Sequence, residues 1–239
     1  MLGDATRILF VHAHPDDETL ATGALIARLA RDGRACFVLT ATRGEQGAVR
    51  PGPLSALVGT PELPLRRIGE QARACEVLGV AGHAFLGDPP ASGRRYADSG
   101  MAWVDHAARI AGPGSQAGPD ALTSADPEAV ASDIVAHARE IGAEALVTYD
   151  PQGGYFHPDH MFLHAPTRTA ASELGVPFWE IVSEADGEGE WHDLADELPV
   201  VTDALGSYAS QLTIDGADVL HAGGQREAIR TRIGLRRVG

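Results

Sequence analysis

The chain has no lysine: all 19 basic residues are arginine, set against 33 acidic ones, for a net charge of −14. Without an ε-ammonium group there is neither Schiff-base chemistry nor a Walker-type phosphate loop. The shortage of positive charge also argues against nucleic acid or an anionic membrane as partner, since both repel so acidic a protein. The exception is the C-terminal stretch bearing Arg226, Arg230, Arg232, Arg236 and Arg237, which reads as a solvated helix face rather than an RNA-binding patch. Cysteine is scarce as well. Cys36 and Cys75 are too few for a disulfide framework or a cysteine-based metal site, and their apolar surroundings make them core residues. No apolar run approaches the roughly 18 residues of a membrane span. Met1-Leu2-Gly3-Asp4 has no basic region of a signal peptide, so the expectation is a cytoplasmic protein.

What is present is an ordinary globular composition, 44% apolar over 239 residues, enough for one α/β domain spanning 1–239. Compact apolar runs predict buried strands at Arg7–Val11, Ala35–Thr40, Ala84–Leu86, Ala145–Tyr149 and Phe178–Val182. Between them, helical spacing predicts helices at Asp17–Ala30, Arg66–Leu78, Asp126–Ile141 and His160–Leu174, the first capped by Asp16 or Asp17. Alternating strands and helices, with strands apolar throughout, give a Rossmann-like, mostly parallel sheet covered by helices on both faces. Its ligands should bind beyond the carboxyl ends of the strands. Two long Gly/Pro-rich loops, 47–64 and 87–119, and an acidic run, Glu184–Glu197, interrupt the pattern. Loops of that length are expected to be functional or disordered.

Two strand ends carry nearly the same tetrapeptide: His14-Pro15-Asp16-Asp17 and His157-Pro158-Asp159-His160. Each puts a ligand-type residue first and fourth around a proline that stiffens the turn. If the two strands are neighbours, two imidazoles and up to three carboxylates converge, a donor set suited to Zn²⁺ or another first-row divalent ion. Three protein ligands with a fourth place for water make a catalytic rather than a structural metal site. His83, His106, His137, His164, His192 and His221 lie outside this context and read as surface or satisfied histidines.

The run His12-Ala13-His14-Pro15-Asp16-Asp17-Glu18, then Tyr149-Asp150-Pro151 and Gly153-Gly154-Tyr155-Phe156-His157-Pro158-Asp159-His160, resembles the LmbE/PIG-L family of metal-dependent N-acetyl-sugar deacetylases. Arg67-Ile68-Gly69-Glu70, Asp98-Ser99-Gly100-Met101 and Ser210-Gln211 extend the likeness, which is greatest to the mycothiol-pathway deacetylase and conjugate amidase. The resemblance implies that His14, Asp17 and His160 bind the metal, by default Zn²⁺, with Fe²⁺ or Co²⁺ also accepted by such a set. It further implies that Asp16 is the general base toward an activated water, and that His157 faces the tetrahedral intermediate, oriented by Asp159. Tyr155 would stabilise the oxyanion, and Arg67 and Asp98 would hydrogen-bond sugar hydroxyls. Glu18 is either a supporting hydrogen-bond partner or a carboxylate serving the helix dipole.

The expected activity is hydrolysis of the N-acetyl group of an N-acetylglucosamine-type glycoside, with a small-molecule sugar as the partner and homo-oligomerisation left open. Some positions depart from the family pattern. Ala48 follows the Gly44-Glu45-Gln46-Gly47 turn where the mycothiol enzymes carry an acid, and Tyr208 replaces a histidine ahead of Ser210-Gln211. The chain also ends sooner than expected of those enzymes, so part of the aglycone pocket is expected to be absent or rebuilt. These departures favour, as an alternative, a mycothiol-like conjugate or a secondary-metabolite glycoside. A nucleotide-binding module is disfavoured, because carboxylates stand where a pyrophosphate loop would be. Other metal hydrolases (esterase, phosphatase, long-chain deacylase) and a non-catalytic binding protein of the same fold are the remaining rivals.

Overall fold

The computed structural model describes residues 1–105, 110–115, 117–183 and 188–239. The first half holds β1 (Arg7–His12), α1 (Asp17–Arg31), β2 (Ala35–Thr40), α2 (Glu62–Leu78), β3 (Gly82–Phe85), β4 (Met101–Asp105) and β5 (Ile110–Pro113). Then come α3 (Pro127–Ile141), β6 (Ala145–Tyr149), a single irregular turn α4 (Gly153–Phe156), α5 (Pro158–Leu174), β7 (Phe178–Val182) and β8 (Glu190–Asp193). The chain closes with α6 (Leu198–Gly206), β9 (Leu212–Asp215), β10 (Asp218–His221), β11 (Arg226–Ala228) and β12 (Arg232–Val238).

The central sheet has seven strands in the order β3-β2-β1-β6-β7-β12-β8. β1 is parallel to both β2 and β6, with Leu9 opposite Phe37 and Leu146. Alternation along β1 explains its unbroken apolar run. Ile8 and Phe10 face one core, with Leu25, Leu29 and Cys75. Leu9 and Val11 face the other, with Ile134, Leu163 and Ala170. Helices α1, α2 and α6 cover the first face, and α3 and α5 the second. Both cysteines are buried and unpaired, as expected of core residues. Gly142, at φ 62°, closes α3 in the left-handed conformation that a side chain would resist.

The sheet is mostly parallel, as expected, with β12 alone running antiparallel, to both β7 and β8. Two expectations need correcting. The arginine-rich tail is not a helix face but strands β11 and β12, in which Arg236 pairs with the buried Glu180. Helix α2 begins at Glu62 rather than Arg66; Pro64 sits in its first turn, where a missing N–H costs no hydrogen bond. Of the loop 87–119, residues 106–109 and 116, with His106, lie outside the described residues, as does the start of the acidic run at 184–187. Within the described part of that loop, β4 and β5 pair antiparallel. Among the described residues no helix is long and apolar enough to cross a membrane.

Strand order reverses between β1 and β6, leaving a crevice at their carboxyl ends. Both His-Pro-Asp turns open into it.

Candidate metal centre

β1 ends at His12 and the chain turns through Pro15 into α1; β6 ends at Tyr149 and turns through α4 into α5. The two turns bring His14, Asp17 and His160 together. His14 Nδ1 lies 3.2 Å from Asp17 Oδ2, His160 Nε2 lies 3.2 Å from the same oxygen, and the two ring nitrogens are 3.4 Å apart. A tetrahedral ion with bonds of about 2.0–2.1 Å spaces its ligand atoms about 3.3–3.4 Å apart, so the triangle has the dimensions of one face.

The other contacts of these residues fix which atoms carry lone pairs. His160 Nδ1 is 3.2 Å from the carbonyl of Gly153, an acceptor, so Nδ1 carries the proton and Nε2 is bare. His14 Nε2 is 3.1 Å from Asp159 Oδ2, another acceptor, so Nε2 carries a proton and Nδ1 is the atom turned to Asp17 and His160. Asp17 Oδ2 accepts from the Tyr149 hydroxyl at 2.8 Å and the His14 amide at 2.8 Å. Three ligand-type atoms therefore crowd within 3.4 Å of one another. Burial opposes a charged His14, yet Asp98, Asp159 and Asp17 outweigh it and hold its pKa well above 6.5, so without a cation Nδ1 carries a proton toward Asp17, and a cation would take that proton's place. Burial also opposes a charged Asp17, but the imidazoles of His160 and His14 keep its carboxyl well below the usual range. His157 is close enough to join a cluster with His14 and His160, whose donor atoms lie within 4.8 Å of one another. Its Nδ1, however, accepts the Asp159 amide at 3.2 Å, and it brings no negative charge, so the tighter triangle through Asp17 is the better cation site.

Supporting groups lock the triangle. Gly153, at φ 62°, has room for nothing more: a Cβ there would lie 2.8 Å from the His160 Cβ. Tyr149 Oη accepts the Ala13 amide at 3.0 Å while donating to Asp17, and His12 Nδ1 sits 3.2 Å away. Burial pushes His12 down to about 4, so it stands as a neutral prop. Tyr149→Phe is expected to lower metal affinity by roughly 10–100-fold, the usual cost of losing a hydrogen bond behind a ligand. Titration of the purified apoprotein with zinc by calorimetry checks it.

Asp16 is differently placed. It stands just ahead of α1 at φ 122° and ψ −28°, strained for a non-glycine residue by roughly 1–3 kcal/mol. The expected side-chain cap does not form: neither Asp16 nor Asp17 caps the helix with its carboxylate, because both are drawn into the crevice. Burial and the neighbouring Asp17 charge raise the Asp16 carboxyl well above its usual range. Tyr155 lies edge-on to His160 at 5.3 Å and stacks on Trp103 at 5.9 Å. Burial, then the charges of Asp17 and Asp16, keep its phenol protonated by raising its pKa well above 10.

Two residues do something other than expected. Asp159 turns its carboxylate to His14 rather than His157, which it touches only through its backbone amide. Arg67 is 3% exposed, with its guanidinium donating to the carbonyls of Gly44 and Ala48 at 2.6 and 3.0 Å. It clamps the loop after β2 and offers no free face to a sugar. The carboxylate of Asp98 lies 3.7 Å from His14 Nε2 and also accepts the amides of Gln46 and Gly100. Glu18 is fully buried, bonded to Tyr208, Gln71 and Thr19, so it ties α1 to α2 and to the segment after α6. His164 and His221 are satisfied by Glu180 and Glu227.

With this geometry the comparison with known proteins agrees. The family model described as GlcNAc-PI de-N-acetylase, PIG-L, matches residues 9–171. The chain belongs to the PIG-L family. A 1D-myo-inositol 2-acetamido-2-deoxy-alpha-D-glucopyranoside deacetylase of Kineococcus radiotolerans is 48% identical over 166 residues, covering 70% of this chain and 45% of the relative. The protein of the same name from Streptomyces griseus subsp. griseus is 34% identical over 259 residues, covering 89% and 77%. The chain spans about half the length of most of the curated relatives it matches. Among solved structures, a teicoplanin-pathway deacetylase in complex with teicoplanin superposes with a TM-score of 0.64 at 21% identity, over 98% of this chain and 100% of that one. N,N'-diacetylchitobiose deacetylase from Pyrococcus horikoshii does so with 0.65 at 17%, over 98% and 84%. At these identities the structural matches speak for the shared fold.

A cavity of about 560 Å³ adjoins the PIG-L centre and is lined by Asp17 and His160 together with Trp103, Tyr155, His221 and Glu227. His221 and Glu227 come from the β9–β11 sheet, beyond the residues the family model matches. Sequence reasoning passed over this wall because its residues carry no spacing signal and are far from both His-Pro-Asp turns. It also missed Tyr149, although a hydroxyl at the last position of an otherwise buried strand is a legible cue.

Proposed function

We propose that this chain is a Zn²⁺-dependent hydrolase that removes the acetyl group from an N-acetylglucosaminyl glycoside, leaving a free sugar amine and acetate. The observation that carries the reading is the 3.2–3.4 Å triangle of ligand-type atoms on His14, Asp17 and His160. These three residues would hold the ion. When bound, it supplies Lewis acidity, polarising the amide carbonyl and lowering the pKa of a water to about 7. Asp16 accepts a proton from the attacking water and returns it to the nitrogen as the C–N bond breaks. His157, whose Nδ1 is occupied by a backbone amide, presents an Nε2–H to the oxygen that gains charge, and the Tyr155 hydroxyl is the second donor. Burial and the two flanking imidazoles hold His157 well below 6.5, which keeps it a neutral donor. Asp98 is the sugar contact left once Arg67 is committed to the loop.

The inositol glycoside in the names of the relatives is the first substrate to try. Amine release should be followed across N-acetylglucosaminides that differ in aglycone and in N-acyl length, before and after chelation. N-acetyl substrates should be hydrolysed, chelation should stop the reaction, and added zinc should restore it. Preference for longer or cysteinyl acyl groups would instead favour the conjugate amidase, and hydrolysis of esters or phosphates alone would contradict the proposal.

A further inference from the structure

Two sequence motifs take no part in the centre described above: Glu70 on α2 and Ser210-Gln211 after α6. The structure joins them. Glu70 is fully buried and receives both the Ser210 amide, at 3.0 Å, and the Ser210 hydroxyl, at 2.5 Å, while Arg66 Nε neutralises it at 2.8 Å. The Ser210 carbonyl accepts the Arg50 amide at 2.8 Å, so every polar group of Ser210 is bonded. Two residues upstream, the Tyr208 hydroxyl bonds Glu18 at 2.5 Å; Tyr208 and Ser210 thus pin the segment to both α1 and α2. One residue downstream, Gln211 is 6% exposed and its Nε2 donates to the Pro15 carbonyl at 2.8 Å and to Asp16 Oδ2. Both partners are acceptors, which fixes the amide orientation: the nitrogen must face Asp16.

Asp16 needs such a hold. Its backbone lies at φ 122°, its side chain caps nothing, and the charges of Asp17 and Glu18 stand beside it. We infer that Gln211, braced through Ser210 and Glu70, is a positioning residue that fixes the Asp16 carboxylate by occupying Oδ2, which leaves Oδ1 for the reacting proton. This inference rests on the reading of Asp16 as the base. It explains why a segment about 195 residues away in sequence, and outside the family-matched span, reaches back across α1 and α2 to the turn after β1.

Gln211→Met keeps the length of the side chain and removes its donors. Measured on the N-acetylglucosaminide that the wild type turns over best, kcat should fall on the order of 10²-fold, the cost of misplacing a reacting group by about an ångström. KM and bound zinc should stay at wild-type values. Ser210→Ala, which leaves the backbone bond to Glu70, should act in the same direction and less strongly. A crystal structure of Gln211→Met should show the Asp16 carboxylate displaced. Wild-type kcat in Gln211→Met, or a fall in kcat with Asp16 unmoved, overturns the inference. A loss of activity that tracks loss of zinc overturns it as well. Should Gln211→Met not fold, Gln211→Asn, which withdraws the amide by one methylene, is read by the same criteria. Full turnover by Asp16→Asn would remove the base assignment instead, while the displacement of Asp16 in the Gln211→Met crystal still decides whether the brace exists.

Discussion

Asp16→Asn should bind zinc at the wild-type stoichiometry and lose turnover by about 10²–10⁴-fold, the range for removing a general base. The substitution is nearly isosteric, and the new amide can present its oxygen to Gln211 Nε2, so the strained turn ahead of α1 keeps its hydrogen bond. Asp16 contributes no atom to the triangle of His14, Asp17 and His160, so the metal has no reason to leave. Only the acceptor for the proton of the attacking water disappears. Metal analysis and steady-state kinetics on the same preparation give both halves of the result; a variant with normal turnover ends the assignment.

Its neighbour should behave in the opposite way. Asp17→Asn keeps the size of the side chain but removes the negative charge that sits between two imidazoles. Zinc affinity should fall well beyond the roughly 10–100-fold that a supporting residue costs, so that dialysed protein is nearly metal-free and activity returns only at high zinc. The folded state should survive, because β1 and α1 are held by two apolar cores and not by the metal turn. Zinc titration of Asp17→Asn beside Asp16→Asn therefore separates two adjacent carboxylates into a ligand and a base. Equal metal affinity in both variants would contradict that division.

The parts of this account legible in the sequence are those with strong periodicity or paired motifs. β1, β2, β6 and β7 were readable because strands buried on both faces are apolar at most positions, with buried polar exceptions such as Thr40, Thr148 and Glu180. The repeated His-Pro-Asp turn was readable because both copies follow such strands, and the pairing of β1 with β6 then brings His14, Asp17 and His160 together. What was not legible depends on where side chains point once the turns are folded. The family resemblance implied that Asp159 serves His157, yet α5 begins at Pro158 and turns the Asp159 carboxylate to His14. Arg67, on an amphipathic helix beside a glycine-rich loop, could have faced a ligand or the loop; Gly44 and Gly47 let the backbone close on it. The arginine-rich tail looked helical by composition because β12, the strand that carries Arg236 to Glu180, has three arginines among its seven residues and apolar side chains only at Ile233, Leu235 and Val238. The Gln211–Asp16 contact spans most of the chain, and no local pattern encodes it.

The most direct test is a crystal structure of the purified protein with anomalous data collected on both sides of the zinc edge. A single peak should lie within coordination distance of His14 Nδ1, Asp17 Oδ2 and His160 Nε2. A peak held through His157 instead of Asp17, one on the far side of His14 between Asp98 and Asp159, or none in protein shown to contain zinc would contradict the account.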